Sequence, residues 1–142
     1  MPHLPFDLMM MRVGALTLIA GMLGGVPILR MRLPQLALSA HLTGISNGVM
    51  LMVLALVWPY LALDKAWMEA GRWLAAISLP GLWFALTFAA AVGAGRAAPM
   101  AGGDMSAGAL GDRTASALII STSLMILAAA VILAVGLFRL AA

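Results

Sequence analysis

Two side chains inside a long apolar run carry the chemistry this sequence offers, His41 and Asn47, both within residues 38–59 (LSAHLTGISNGVMLMVLALVWP). The run reads as a membrane-spanning helix closed by Trp58-Pro59-Tyr60, yet its first third also holds Ser39, Thr43 and Ser46. Polar and ionisable groups are costly at membrane depth, so an intramembrane His followed by an Asn marks a candidate functional site. On an ideal helix, at about 100° and 1.5 Å per residue, Asn47 lies roughly 9 Å beyond His41 and about 120° round the axis. Gly44 falls midway between them in rise and in angle. A ring nitrogen, a bare backbone and then an amide leave room for something flat against the helix. An imidazole needs one partner to serve as an axial ligand to haem iron, and haem is a flat, largely apolar body that such a gap would admit. The plain alternative is a His hydrogen-bonded to a neighbouring helix, with Asn47 acting as a second interhelical tie.

Other chemistries are excluded by what is missing. The 142 residues are 64% hydrophobic and 9% charged, with a mean hydropathy of +1.09, far too little charge for a water-soluble surface. No acid or base falls well inside an apolar span, which removes the intramembrane carboxylate that proton-coupled transporters and pumps use. There is no phosphate-binding Gly loop, no paired carboxylate and no His/Cys/Asp cluster able to hold zinc. With no cysteine, disulfides, thiolate metal sites and covalent attachment of c-type haem are out. The pI near 10.7 comes from eight Lys/Arg against five Asp/Glu, scattered singly between apolar runs. Such cations meet lipid headgroups and help fix topology; they do not build a nucleic-acid surface.

The elements that must position His41 and Asn47 follow from the apolar runs. The expected fold is all-α, an integral membrane four-helix bundle forming one domain, with spans near 13–29, 36–63, 73–92 and 115–140 and both termini on the same side. A basic residue ahead of the first run resembles a signal peptide, but no small-residue cleavage site follows, and a retained helix is expected. Gly21, Gly24 and Gly25 in span one, and Gly44 with Gly48 in span two, have the small-residue spacing of close helix packing. Trp58, Tyr60 and Trp67 suit a membrane interface. Asp64, Lys65, Glu69 and Arg72 read as a solvated loop. Span three is interrupted at Pro80-Gly81 and carries Trp83, Phe84 and Phe88, read as packing. The Gly/Ala-rich segment 93–114 is long for a connection and is a candidate lid. Ser116, Ser121, Thr122 and Ser123 in span four are expected to bond to their own backbone. His3 lies in a Pro-broken leader and carries no expectation. Arg12, Lys65, Arg72 and Arg139 fall on one side and Arg30, Arg32, Arg96 and Arg113 on the other, so the positive-inside count is a tie.

Ala40-His41-x-x-Gly44-x-x-Asn47-Gly48-Val-Met50, with Leu54-Ala-Leu-Val-Trp58-Pro59 and later Gly93-x-x-Arg96-x-x-Pro99-Met-Ala-Gly102, resembles the hydroxylaminobenzene mutase family, a relative of the styrene oxide isomerases. The similarity runs from about Arg32 to Gly102, and the motif from His41 to Pro59 is its specific part. The resemblance implies a small four-span isomerase of the bacterial inner membrane, a homo-oligomer and specifically a trimer, holding ferric b-type haem and acting on small aromatic substrates. His41 would be the axial ligand, with Gly44 beside the macrocycle. Asn47 would orient the substrate oxygen of an N-aryl hydroxylamine or an aryl epoxide, which the iron activates as a Lewis acid. Haem propionates must be paired or reach water. His41 lies about five residues, roughly 7 to 8 Å of rise, inside a boundary near Leu36. Arg30 and Arg32 are then the nearest cations for them, unless these two only bind lipid phosphates. Two departures stand out. The styrene oxide isomerases carry a Tyr in the third span where this chain has Leu86, and an early His-Gly pair is replaced by Val13-Gly14.

Two other classes compete with the isomerase: a haem-binding electron carrier, whose second axial ligand could come only from a Met, and a non-catalytic membrane accessory protein. An absorption spectrum separates the three. No Soret band leaves the accessory protein, six-coordinate low-spin haem indicates the carrier, and a ferric site open to small ligands indicates the isomerase.

Overall fold

A computed structural model describes residues 6–140, which places His3 outside the described residues. The chain is helical, with no strand among those residues: α1 Leu8–Leu23, α2 Pro34–Val57, α3 Lys65–Val92, a one-turn α4 Pro99–Gly102, and α5 Gly108–Leu140. Short 3₁₀ turns at Ile28–Arg30, Trp58–Tyr60 and Gly95–Ala97 join them. The helices α2, α3 and α5 are long and apolar enough to cross a membrane. With 16 residues, α1 is about 24 Å long and falls short of the roughly 30 Å hydrocarbon core.

Every span begins earlier in the chain than its apolar run suggests, and capping chemistry explains most of the shift. Asp7 accepts the Met10 N–H at 2.9 Å and starts α1 five residues before position 13. The same helix ends at Leu23 rather than 29, where Gly24, Gly25 and Pro27 turn the chain. Pro34 occupies the first turn of α2, where its missing N–H costs nothing. The charged segment expected as a loop forms the first turns of α3 instead. There Arg72 pairs with Glu69 one turn back and with Asp7 of α1 at 3.5 Å, tying the start of the chain to α3. Pro80 is accommodated inside α3, and Gly93 ends that helix in the left-handed region at φ +84, its N–H bonded to Ala89. Ahead of α5, Ser106 donates to Asp112 at 2.6 Å, Asp112 accepts the Ala107 N–H at 3.0 Å, and Ser106 accepts the Gly108 N–H at 3.1 Å. These bonds draw residues 108–114 out of the expected loop and into α5.

The long helices pack as antiparallel neighbours. The Asp7 N–H bonds to the Ala55 carbonyl at 2.8 Å at one end of α1–α2, while Gly21 lies on Gly44 toward the other. A Cβ on Gly21 would sit 2.5 Å from the Gly44 carbonyl carbon, and one on Gly48 would sit 2.5 Å from the Leu18 nitrogen, so the two backbones touch. This is the close packing expected of the glycine spacing, and at membrane depth such contact replaces the missing hydrophobic drive between helices. Next, Leu33 N–H bonds to the Ala90 carbonyl at 3.2 Å and the Trp58 indole donates to Met68 at 3.3 Å, fixing α3 along α2. On the far side of α3, Gly71 meets Ile132 and Gly81 meets Thr122, which places α5 there. The described chain therefore starts and finishes at the same end. Thr122 and Ser121 bond to the Leu118 carbonyl, as expected of span-four hydroxyls. Segment 93–107 is folded tightly rather than loose: Gly95 and Gly102 are in backbone contact and Arg96 N–H bonds to Met105. It packs against the beginning of α2 and α5.

Candidate functional site

His41 is half-buried on the side of α2 that faces α1. Where α1 ends, Gly25 N–H turns back to the Met22 carbonyl, so the Gly21 carbonyl is left among the unpaired acceptors of a helix terminus. His41 Nδ1 lies 2.7 Å from that oxygen. A carbonyl only accepts, so Nδ1 carries the proton in this contact, and Nε2 is the ring nitrogen left without a partner among the described residues. The ring also lies against Gly25, where a Cβ would come within 2.8 Å of Cε1. That Gly is therefore as much a condition of the His41 position as the hydrogen bond is.

Asn47 projects elsewhere. It is only 8% exposed and its Nδ2 donates to the Leu79 carbonyl of α3 at 2.7 Å. No other hydrogen bond to it is formed among the described residues, which leaves Oδ1 as a free acceptor. Gly44, between the two, does not face an open slot. A Cβ there would meet Trp83 Cδ1 at 2.5 Å and Gly21 Cα at 2.7 Å, so the flat body against this helix is the Trp83 indole. The chain thus keeps His41 and Asn47 on separate faces of α2, with Trp83 and α1 between them. The expectation that Gly44 flanks a macrocycle is replaced, within the chain, by a tryptophan seat.

Trp83 has a further property that sequence reasoning missed. Its Nε1 is buried without a hydrogen-bond partner. It lies beside Gly24, 3.7 Å from where a Cβ would stand, so the indole N–H and the His41 imidazole flank the same Gly24-Gly25 turn. The sequence groups Trp83 with the other aromatics of span three; only the α2–α3 register sets it over Gly44.

Arg32 and Arg30 part company. Arg32 Nη1 donates to the Val92 carbonyl at 3.1 Å, and its stem lies over Gly93. It caps the negative end of the α3 dipole. Arg30 is exposed, and its guanidinium makes no hydrogen bond or ion pair with another described residue. Leu86 packs into the Leu36, Ala89 and Ala90 cluster at this end, an aliphatic group where no donor is available. No group of three or more His, Asp or Glu able to hold a metal exists among the described residues.

For a haem the residues divide. The His41 donor set fits: one ring nitrogen is fixed by a carbonyl and the other is free. The Gly44 slot does not.

An all-helical membrane bundle with a single oriented imidazole and an intramembrane amide defines a narrow class of protein, and comparison places the chain within it. The sequence matches the family described as styrene oxide isomerase over residues 7–138, and the chain belongs to that family. Hydroxylaminobenzene mutase HabA of Ectopseudomonas oleovorans is 32% identical over 127 residues, covering 89% of this chain and 94% of the relative. Hydroxylaminobenzene mutase HabB of the same organism is 32% identical over 124 residues, covering 87% of this chain and 76% of the relative. No solved structure matches the chain. The similarity extends well beyond the stretch from Arg32 to Gly102, and it makes the protein a membrane isomerase rather than an electron carrier or accessory protein.

Proposed function

We propose that the protein is a haem-dependent isomerase in which His41 is the axial ligand of ferric b-type haem, and that it prefers N-aryl hydroxylamines, converting them to aminophenols. One observation carries the cofactor assignment: the 2.7 Å contact from Nδ1 to the Gly21 carbonyl, which fixes the ring and leaves Nε2 as the nitrogen for a ligand bond. Metal-binding histidines almost always donate the other ring N–H to a carbonyl, carboxylate or water in this way. Bound ferric haem supplies a Lewis acid for the oxygen of an N-aryl hydroxylamine or an aryl epoxide.

The chain's own groups set the substrate. With one Nδ2 hydrogen committed to Leu79, Asn47 retains Oδ1 as an acceptor and its second Nδ2 hydrogen as a donor. An aryl hydroxylamine, with O–H and N–H donors and an acceptor oxygen, can pair with both, whereas an epoxide can only accept. Leu86 cannot donate to an epoxide oxygen. The two hydroxylaminobenzene mutases among the relatives support the same preference. Rearrangement conserves atoms and electrons, so no redox partner is consumed. A homo-oligomer, proposed as a trimer in the bacterial inner membrane, rests on the resemblance to the family.

The test is an absorption spectrum of the purified protein and of His41→Ala, followed by turnover of phenylhydroxylamine and styrene oxide in membranes. A Soret band lost in His41→Ala while the protein still inserts, with aminophenol formed faster than aldehyde, is the expected result. Full haem occupancy in His41→Ala would overturn the ligand assignment.

A further inference from the structure

Toward the end where the described chain starts and finishes, α2, α3 and α5 leave an apolar cavity of about 200 Å³ between them. Its walls include Leu54 of α2, Trp58 of the turn that follows it, Leu79 of α3, and Ile126 and Leu133 of α5. The volume exists because Ala75, Ala129 and Ala130 put small side chains where three helices meet and larger ones would close the space. It opens between α2 and α5 past Met50, 49% exposed, and Ala130, also exposed, so its mouth faces outward from the bundle at membrane depth. Met50, the α2 wall residue nearest His41, lies nine positions beyond it, roughly 14 Å of helix rise, and Leu79 carries the carbonyl that holds Asn47, so the cavity lies apart from the imidazole and next to Asn47.

Its wall contains one side-chain hydroxyl, and that hydroxyl is out of place. Ser78 is fully buried and its Oγ has no hydrogen-bond partner. Helical Ser and Thr commonly return a bond to the carbonyl one turn back. Thr17, Thr87 and Thr122 do so here, at 2.8, 2.8 and 2.6 Å. Ser78 does not, in an otherwise apolar chamber where an unpaired hydroxyl carries a desolvation penalty. Native structures rarely leave such a group without a partner, and one that persists calls for an explanation, of which a bound molecule is one. A water alone fits poorly, since buried waters typically make about three hydrogen bonds and these walls offer one group. An apolar cavity of even about 150 Å³ can hold a benzene ring.

We infer that this cavity binds a small neutral aromatic molecule bearing one hydroxyl or amino group, its ring held by the Leu54, Trp58 and Leu133 walls and its polar group hydrogen-bonded to Ser78 Oγ. The site is a holding compartment filled from the lipid phase. The identity of its natural occupant, an aryl hydroxylamine or its aminophenol product, rests on the proposed function; the binding itself does not.

The purified protein is titrated with 4-fluorophenol and with fluorobenzene, followed by fluorine NMR. Partition into detergent is linear in ligand, so saturation marks the site. Saturable binding of both is expected. Ser78→Ala should weaken 4-fluorophenol about tenfold, the scale of one hydrogen bond, and leave fluorobenzene unchanged. Ala130→Leu, at the exposed mouth where folding is undisturbed, should weaken both at least tenfold. The His41→Ala protein should bind both probes as wild type does, and its haem content, read separately, reports on the ligand assignment alone. Linear uptake only, an equal effect of Ser78→Ala on the two probes, unchanged binding in Ala130→Leu, or loss of binding in His41→Ala would each overturn the proposal.

Discussion

At the scale of single residues, Asn47 and Trp83 face the same question, whether a buried polar group serves the fold or the substrate. Asn47→Ala removes both the donor that ties α2 to the Leu79 carbonyl and the free Oδ1. Losing a buried neutral hydrogen bond of this kind costs about 1 kcal/mol, a fall of a few degrees in Tm, which a bundle with backbone contact along α1–α2 tolerates. The Soret band is expected to survive while kcat drops by orders of magnitude. Loss of haem together with turnover would make Asn47 a tie between helices and nothing more. Trp83→Phe asks the converse. The ring still covers Gly44, but the unpaired Nε1–H disappears, so Tm should hold or rise. A fall of more than a few degrees would show that the indole N–H has a partner in the folded protein.

At the scale of the helices, glycine decides how close α1, α2 and α3 come. Gly44→Ala would drive a methyl into Trp83 Cδ1 at 2.5 Å and into the Gly21 backbone at 2.7 Å, contacts that no side-chain rotation relieves together. Overpacking of this order costs about 1 to 3 kcal/mol. Gly24→Ala, whose nearest contacts are 3.2 and 3.3 Å, is expected to cost clearly less. Thermal melts of the two variants check the order; equal melts would mean α1 and α2 are not in the contact described. The spans themselves were legible in the chain because apolar run length and glycine spacing are local properties. Helix starts were not, since Asp7 on Met10 N–H and Asp112 on Ala107 N–H are capping bonds made by residues that composition assigns to loops. His41 stood out for the same local reason, as the sole imidazole in an apolar run. The filling of the Gly44 gap by Trp83, 39 positions away, depended on the α2–α3 register, and periodicity within one helix carries no information about that.

Across the whole molecule the charges collect at the two ends of the bundle, and they are not equivalent within an end. Arg72 is committed to Asp7 and Glu69, and Arg32 to the Val92 carbonyl, so neither is free to meet an anionic ligand without loosening the fold. Arg30 has no such commitment and stands at the end of the bundle where Gly21 and Gly25 hold the His41 ring. If haem sits on His41, its propionates must turn toward this end, the nearer one. A free guanidinium there is suited to a bidentate pair with a carboxylate. Arg30→Gln should therefore lower haem retention in washed, detergent-purified protein several-fold, with Tm of the haem-free form unchanged. Arg32→Gln should instead lower that Tm, because the end of α3 loses its cap. Lys65→Gln with Arg139→Gln, two exposed cations at the opposite end, is the matched control and should alter neither. Equal haem loss in the control and in Arg30→Gln would mean that the cofactor does not approach the connection between α1 and α2. Haem loss in Arg32→Gln alone would move the propionate contact one turn toward α3.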